Sequence, residues 1–382
     1  MIFFIILVTL LFFSLLELCG SKKINTLSSV SKPKIFSADS FLFSCFAFVL
    51  AMICAFRYKT GRDWTSYTYF FENCLNLSKN TTWERGYVFL NVFFKKYFNS
   101  FYFMQFVICS LSAFLIYKNI FKNSDFPIFV LFLYFSQFYL TTEMAQTRQF
   151  IAMAILSCGN KFIKGQKFIN WFLIFLLALQ FHFSVIFAFP LYFTTYRKCP
   201  VVVCIILMFG FVVLTFYGMN VITNSVFVIG SLPFMPSRVT RLLEMYFYNK
   251  TTSNYAELGS GLTYFGKLAI AIGIMFFCYK NRQNKSAEFC LLNFLIALIF
   301  MSVGRNFQVL GRITNYYLIC GNGLCATSIY CYKDIFWKGT KFAHVICVFL
   351  VLSFYALSFV SNWNNMKFAP EYWHYQSVLS WR

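Results

Sequence analysis

The chain has 382 residues, of which 59% are hydrophobic, 23% aromatic and only 12% charged. A soluble domain carries about twice that share of charge, and no core of this size hides so much apolar surface from water, so one transmembrane domain is expected over 1–382. The net charge of +21 is open to a nucleic-acid reading, but short cytoplasmic loops collect Lys and Arg whatever a membrane protein does, and no nucleic-acid partner is expected.

Apolar runs approaching roughly 20 residues mark the spans, and Lys and Arg orient them. The first run, 1–19, lacks a basic leader and a small-residue cleavage site, which predicts a retained helix, with Lys22, Lys23, Lys32 and Lys34 on the cytoplasmic side. The run 41–56 leads out to a long polar and aromatic extracytoplasmic loop, 57–98. A span at 99–117 returns to Lys118 and Lys122, and 126–141 and 149–163 form a hairpin with Thr141 to Arg148 at its outer turn. The pair 168–181 and 184–196 is short for full spans and breaks at Phe181-His182-Phe183-Ser184. A span at 200–218 opens on a second outer loop, 219–261, before 262–279, 287–303, 313–332 and 342–360 complete the bundle. The expected fold is an all-α polytopic integral membrane protein of about twelve helices, some short or re-entrant, in the bacterial inner membrane.

This topology places fifteen Lys and two Arg inside, and nine Arg outside: Arg57, Arg62, Arg85, Arg148, Arg238, Arg241, Arg305, Arg312 and Arg382. Orientation rules predict few cations on the outer face. Arg is suited to bidentate recognition of phosphate, because its planar fork is always charged and weakly hydrated. A phosphorylated ligand on that face accounts for the bias; lipid headgroups or local acids are the competing explanation. Most of the 14 cysteines lie in apolar runs, where Cys acts as a small hydrophobe.

Within the first outer loop, Arg57, Arg62, Asp63 and Tyr67 combine cations, a carboxylate and rings, as a sugar-phosphate site requires and as an interfacial belt also provides. Asp63 and Glu84 are carboxylates in positive surroundings, open to accepting a hydroxyl proton or to plain charge balance. Glu143 and Arg148 cap the outer end of a hairpin, with Gln149 next in sequence, and ionisable groups at such places are functional candidates. His182 interrupts short apolar helices on the same side as the arginines; a lone His is more often a core residue, but broken membrane helices are where sites are built. Arg305 and Arg312, seven apart, share a helix face, and Tyr316 lies one turn further on. No D-x-D pair offers a divalent-ion site, and no P-loop, G-x-G-x-x-G or G-x-S-x-G occurs, so neither metal nor cofactor is expected.

Taken in order, Arg57…Gly61-Arg62-Asp63-x-x-x-Tyr67, Glu84-x-Gly86, Arg148-Gln149-x-x-Ala152, Phe181-His182-x-Ser184 and Arg312…Tyr316 resemble the EpsG-like family, the Wzy-type O-antigen and exopolysaccharide polymerases. The resemblance runs from about residue 41 onward and rests on motif order and spacing. It implies a GT-C-like membrane glycosyltransferase, in the broad sense, working on the periplasmic side without a metal. The implied partners are the lipid bilayer, undecaprenyl-pyrophosphate-linked oligosaccharide and polysaccharide, and a chain-length regulator. The implied reaction moves the growing glycan from undecaprenyl pyrophosphate to a sugar hydroxyl of the next lipid-linked repeat unit. Asp63, Glu143 and His182 are the candidate bases; Arg148, Arg305 and Arg312 are expected on pyrophosphate and Arg57 on a lipid phosphate, with Arg62, Tyr67, Glu84, Gln149 and Tyr316 completing the substrate site. A lipid-linked oligosaccharide flippase or polysaccharide exporter, and an O-antigen ligase, are the alternatives. A transporter needs a cationic path reaching both leaflets, whereas the arginines gather on one.

Overall fold

The computed structural model describes residues 2–19, 38–61, 63–77, 81, 83–194, 201–230, 262–280, 285–303, 311–330, 341–365 and 375–380. In chain order its helices are α1 (Ile2–Cys19), α2 (Ala38–Ala55), α3 (Trp64–Leu77), α4 (Arg85–Tyr97), α5 (Phe101–Asn123), α6 (Pro127–Tyr134), α7 (Thr147–Ser157), α8 (Asn160–Lys164), α9 (Phe168–Leu179), α10 (Val201–Gly230), α11 (Leu262–Lys280), α12 (Lys285–Val303), α13 (Gly323–Tyr330) and α14 (Lys341–Asn365). α6 runs on into a π-helix, Phe135–Glu143; a 3₁₀ segment, Phe183–Tyr192, follows α9; and a π turn, Tyr316–Cys320, precedes α13. Two short strands, β1 (Arg57–Tyr58) and β2 (Gln376–Ser377), pair antiparallel.

Among the described residues α1, α2 and α5 are long and apolar enough to cross a membrane, and several shorter apolar helices accompany them. Their packing fits lipid rather than water. α1 buries Phe3, Ile6, Leu7 and Leu10 and exposes Ile5, Val8, Phe12 and Leu16, an apolar stripe at three- and four-residue spacing. α6 is buried on every side, the pattern of a helix at the centre of a bundle. The Glu17 carboxylate at the end of α1 accepts hydrogen bonds from the backbone N–H groups of Ile128 and Phe129, at 3.3 and 2.8 Å, in the first turn of α6, where Pro127 has no N–H to leave unpaired.

An asparagine knot fastens the end of the bundle that carries Lys118, Lys122, Lys161 and Lys164. Asn119 on α5 donates to the side-chain carbonyl of Asn322 at 2.9 Å, and Asn160 on α8 donates to that of Asn119 at 3.0 Å. Near it, Asn293 of α12 donates to the Gly321 carbonyl at 2.9 Å.

The structure departs from the sequence expectation in two places. The loop 57–98 contains two amphipathic helices, α3 and α4, whose buried residues Tyr67, Phe70, Phe71 and Cys74, and Tyr87, Asn91 and Phe94, recur at helical spacing. α10 continues to Gly230, well past the expected end at 218. Separately, the tail returns to the bundle: β2 pairs with β1, the Val378 N–H donates to the Phe56 carbonyl at 2.9 Å, and the Tyr375 hydroxyl donates to the Ile53 carbonyl at 2.8 Å.

Candidate active site

Three breaks in helical structure meet at one end of the bundle: the turn before α7, the hinge after α9, and the residues leading into the π turn. Each places polar side chains beside the start of α4. Arg148, in the first turn of α7, donates from Nη1 to Glu84 Oε2 at 2.7 Å, with both side chains mostly shielded. Its guanidinium carbon lies 4.7 Å from the centroid of the Trp83 ring, within cation–π range. The Tyr67 phenol lies close enough to Arg148 to be coupled to its charge. Burial and the nearby Asp63 charge push the Tyr67 phenol up, while Arg148 opposes them.

Glu84 and Gly86 together tie α4 to the hinge. Glu84 Oε1 accepts the Phe183 N–H at 3.0 Å, and the Gly86 N–H donates to the Gln180 carbonyl at 2.8 Å. A Cβ at position 86 would stand 2.8 Å from that same carbonyl oxygen, so the approach needs glycine. Gly61 serves the same end on the opposite flank: its φ of +111° is in the region that disfavours side chains, and a Cβ there would collide with the Met144 carbonyl. The loop that leads to Asp63 is thereby held against the turn that precedes Arg148.

His182 is extended, at φ −155° and ψ 120°, and its Nδ1 accepts the Ser184 N–H at 3.2 Å. The Ser184 hydroxyl lies 2.8 Å from that Nδ1 and 2.8 Å from the Tyr316 hydroxyl. A backbone N–H only donates, so Nδ1 carries the lone pair and Nε2 carries the proton. Burial pushes the imidazole down to about 4; Glu84 opposes this, and Arg148 and Arg312 reinforce it. Gln149, fully buried, donates from Nε2 to the Arg312 carbonyl at 2.8 Å, and its side chain also meets the Tyr316 hydroxyl. The π turn is thus fixed to α7, and Arg312 stands at its head.

A model of the EpsG family matches residues 40–377. The chain belongs to the EpsG family. That membership supports a polysaccharide polymerase-like role in general and agrees with the apolar helices of a membrane protein. No curated protein and no solved structure matches the chain.

Of the residues singled out from the sequence, the EpsG-family fold brings Tyr67, Glu84, Arg148, Gln149, His182, Arg312 and Tyr316 into one cluster. Asp63 lies at its edge, four residues before Tyr67, half-buried; among the described residues its carboxylate enters no ion pair. Arg62 and Arg305 lie outside the described residues.

Two of the expected site residues have their partners outside this cluster. Arg57 is only 1% exposed and does not reach toward a lipid phosphate. Its Nη1 donates to Cys54 Sγ at 3.0 Å and to the Glu143 carbonyl at 3.1 Å, and its Nη2 donates to Thr147 Oγ1 at 2.8 Å. Gln105 holds the Arg57 carbonyl in turn, at 2.8 Å. A charged fork so enclosed buttresses the turn that carries Arg148. Glu143 is fully buried, and its carboxylate accepts from the Tyr117 hydroxyl at 2.9 Å and the Tyr134 hydroxyl at 2.7 Å. Sequence reasoning passed over Trp83 and gave Ser184 no role of its own. The signal for Trp83 was its position beside Glu84, which puts an indole next to whatever Glu84 pairs with.

Proposed function

We propose that this EpsG-family chain elongates a lipid-linked polysaccharide. The growing glycan is transferred from undecaprenyl pyrophosphate to the terminal sugar hydroxyl of an undecaprenyl-pyrophosphate-linked repeat unit, on the periplasmic side of the inner membrane. The observation that carries this reading is the meeting of Arg148, Arg312 and the His182 Nε2–H donor around Glu84, in a bundle whose flanks suit lipid.

The chemistry follows from that set. The acceptor hydroxyl gives its proton to Asp63 as its oxygen attacks the anomeric carbon, and the bond from that carbon to the pyrophosphate oxygen breaks with its electron pair leaving on the diphosphate. A lipid diphosphate is a good leaving group that needs its growing charge met more than it needs a proton. Fixed guanidinium groups in shielded surroundings meet it without reorganising. Glu84 and Trp83 hold the Arg148 fork in one plane, and Ser184 and Tyr316 keep the imidazole proton on Nε2 as a further donor. The Nδ1 contact argues for this donor role over the general-base role considered from sequence.

The deciding experiment supplies purified protein in vesicles with lipid-linked repeat units. The expected result is a ladder of products that persists with a chelator present and is lost in Arg148→Ala and Arg312→Ala. Normal chain lengths in both variants would overturn the pyrophosphate assignment. A ligase remains the second reading, favoured by the same donor chemistry; in a deletion strain, retention of single-repeat capping with loss of the ladder separates the polymerase from it.

A further inference from the structure

The α3–α4 hairpin has two unlike outer faces. Its halves close around rings of both helices, with Trp83 tilted against Phe70 at 4.2 Å between centroids, and an ion pair from Lys95 to Glu72 joins them. α3 exposes Thr65, Ser66, Glu72 and Asn76 together with Tyr69, Leu75 and Leu77, a mixed face with no continuous row of rings. α4 instead exposes Phe89, Phe93 and Tyr97, one every four residues and so on one stripe, at 67%, 39% and 64%. The rings form a ladder, with centroids 6.3 Å apart from Phe89 to Phe93 and 5.0 Å from Phe93 to Tyr97. It then turns the corner into α5: Phe93 meets Phe98 at 6.1 Å, and Phe98 meets Phe103 at 4.8 Å. Phe103 heads the exposed apolar stripe of α5, which continues through Leu111 and Phe114 on a helix long and apolar enough to span a membrane.

A row of exposed rings that continues the lipid-facing stripe of a spanning helix has one consistent surrounding. We infer that α4 lies along the headgroup–acyl boundary of the leaflet nearest the candidate site, with phospholipid acyl chains covering Phe89, Phe93, Tyr97 and Phe98. The stripe of α3 that carries Thr65, Tyr69, Glu72 and Asn76 is directed to water above it, and Lys96, exposed beside the ladder, reaches the phosphates. The consequence for the site rests on the proposed function. Glu84 begins α4 and Trp83 precedes it, so a helix floating at this level holds the Arg148 fork at the depth of lipid phosphates, where a lipid-borne diphosphate arrives.

The test needs no enzymatic activity, so its failure is separable from failure of the polymerase reading. The photoreactive residue p-benzoylphenylalanine is placed at Phe89, Phe93, Tyr69 or Leu111 of the full chain, reconstituted in vesicles of phosphatidylethanolamine and phosphatidylglycerol. After illumination, intact mass reads phospholipid adducts. Position 111, on the spanning stripe, is the positive control. Adducts at 89 and 93 at yields comparable to 111, with loss of the adduct at 69, are expected. Absence of adducts at 89 and 93 while 111 labels, cross-links from them to a second copy of the chain, or equal labelling at 69 would each overturn the inference.

Discussion

Arg148 is gripped on two sides: Glu84 takes one of its N–H groups and Trp83 lies against it, with the Tyr67 phenol nearby. Such pre-organisation makes a donor effective, and removing one donor of this kind costs about 10²–10³ in rate. Arg148→Ala should therefore reduce single-turnover elongation by about that factor while the protein still inserts; Arg148→Lys should recover part of it, because Lys keeps the charge and loses the fork. Equal recovery of full activity by Lys would reduce the role to charge alone. For His182 the sign follows from its depressed value of about 4 against an ordinary 6.5. The folded chain binds fewer protons there than the unfolded chain between those values, so the contribution to stability is complete above 6.5 and fades as pH falls toward 4. Elongation should show no inflection near 6.5, and His182→Gln, which keeps a terminal N–H donor, should outperform His182→Ala. An inflection near 6.5 in the pH–rate profile that vanishes in His182→Gln would restore the base. At this scale the sequence was least legible. Arg57 and Arg148 both follow apolar runs and look alike in one dimension; only the enclosure of Arg57 by Cys54, Glu143 and Thr147 tells a buttress from a ligand. The setting of Glu143 is hidden for the same reason, since its partners Tyr117 and Tyr134 come from α5 and α6.

Elements meet at this site through their interruptions. The hinge between α9 and the 3₁₀ segment was legible, because a histidine and a serine in an apolar run have no use in an unbroken helix. The hairpin α3–α4 was not: its density of aromatic residues, set among polar ones, reads equally as an interfacial loop, and the helical period emerges only once Tyr87, Asn91 and Phe94 are seen to share one buried face. Gly86 is where two elements approach most closely. Gly86→Ala forces α4 away from the Gln180 carbonyl, which is backbone and cannot swing aside. The expected outcome is a loss of about 1–3 kcal/mol in stability, as for other overpacked contacts, measured by thermal unfolding in detergent, together with loss of elongation as Glu84 leaves the Phe183 N–H. Unchanged activity with Ala at 86 would show that the α4–hinge contact does not position the site.

For the molecule as a whole, the membrane class and the family were legible from composition and motif order, because both are carried by many residues at once. The fastening between distant helices was not. Nothing in the sequence links Asn119, Asn160 and Asn322, yet they meet at the end carrying Lys118 and Lys161. Asn119→Ala should lower the stability of the bundle by about 1–2 kcal/mol, the upper part of the range for hydrogen bonds between membrane helices, with elongation kinetics largely preserved, since the knot lies away from the arginine cluster. A fall in rate without loss of stability would contradict that separation. The pairing of β2 with β1 also bears on the order in which the fold closes. Tyr375 bonds to Ile53 across 322 positions of chain, and residues 375–378 brace the segment that holds Arg57, and through Thr147 the turn before Arg148. A pairing across so long a stretch carries a large loop-closure cost, so the frame around Arg57 closes only after the helices between have packed.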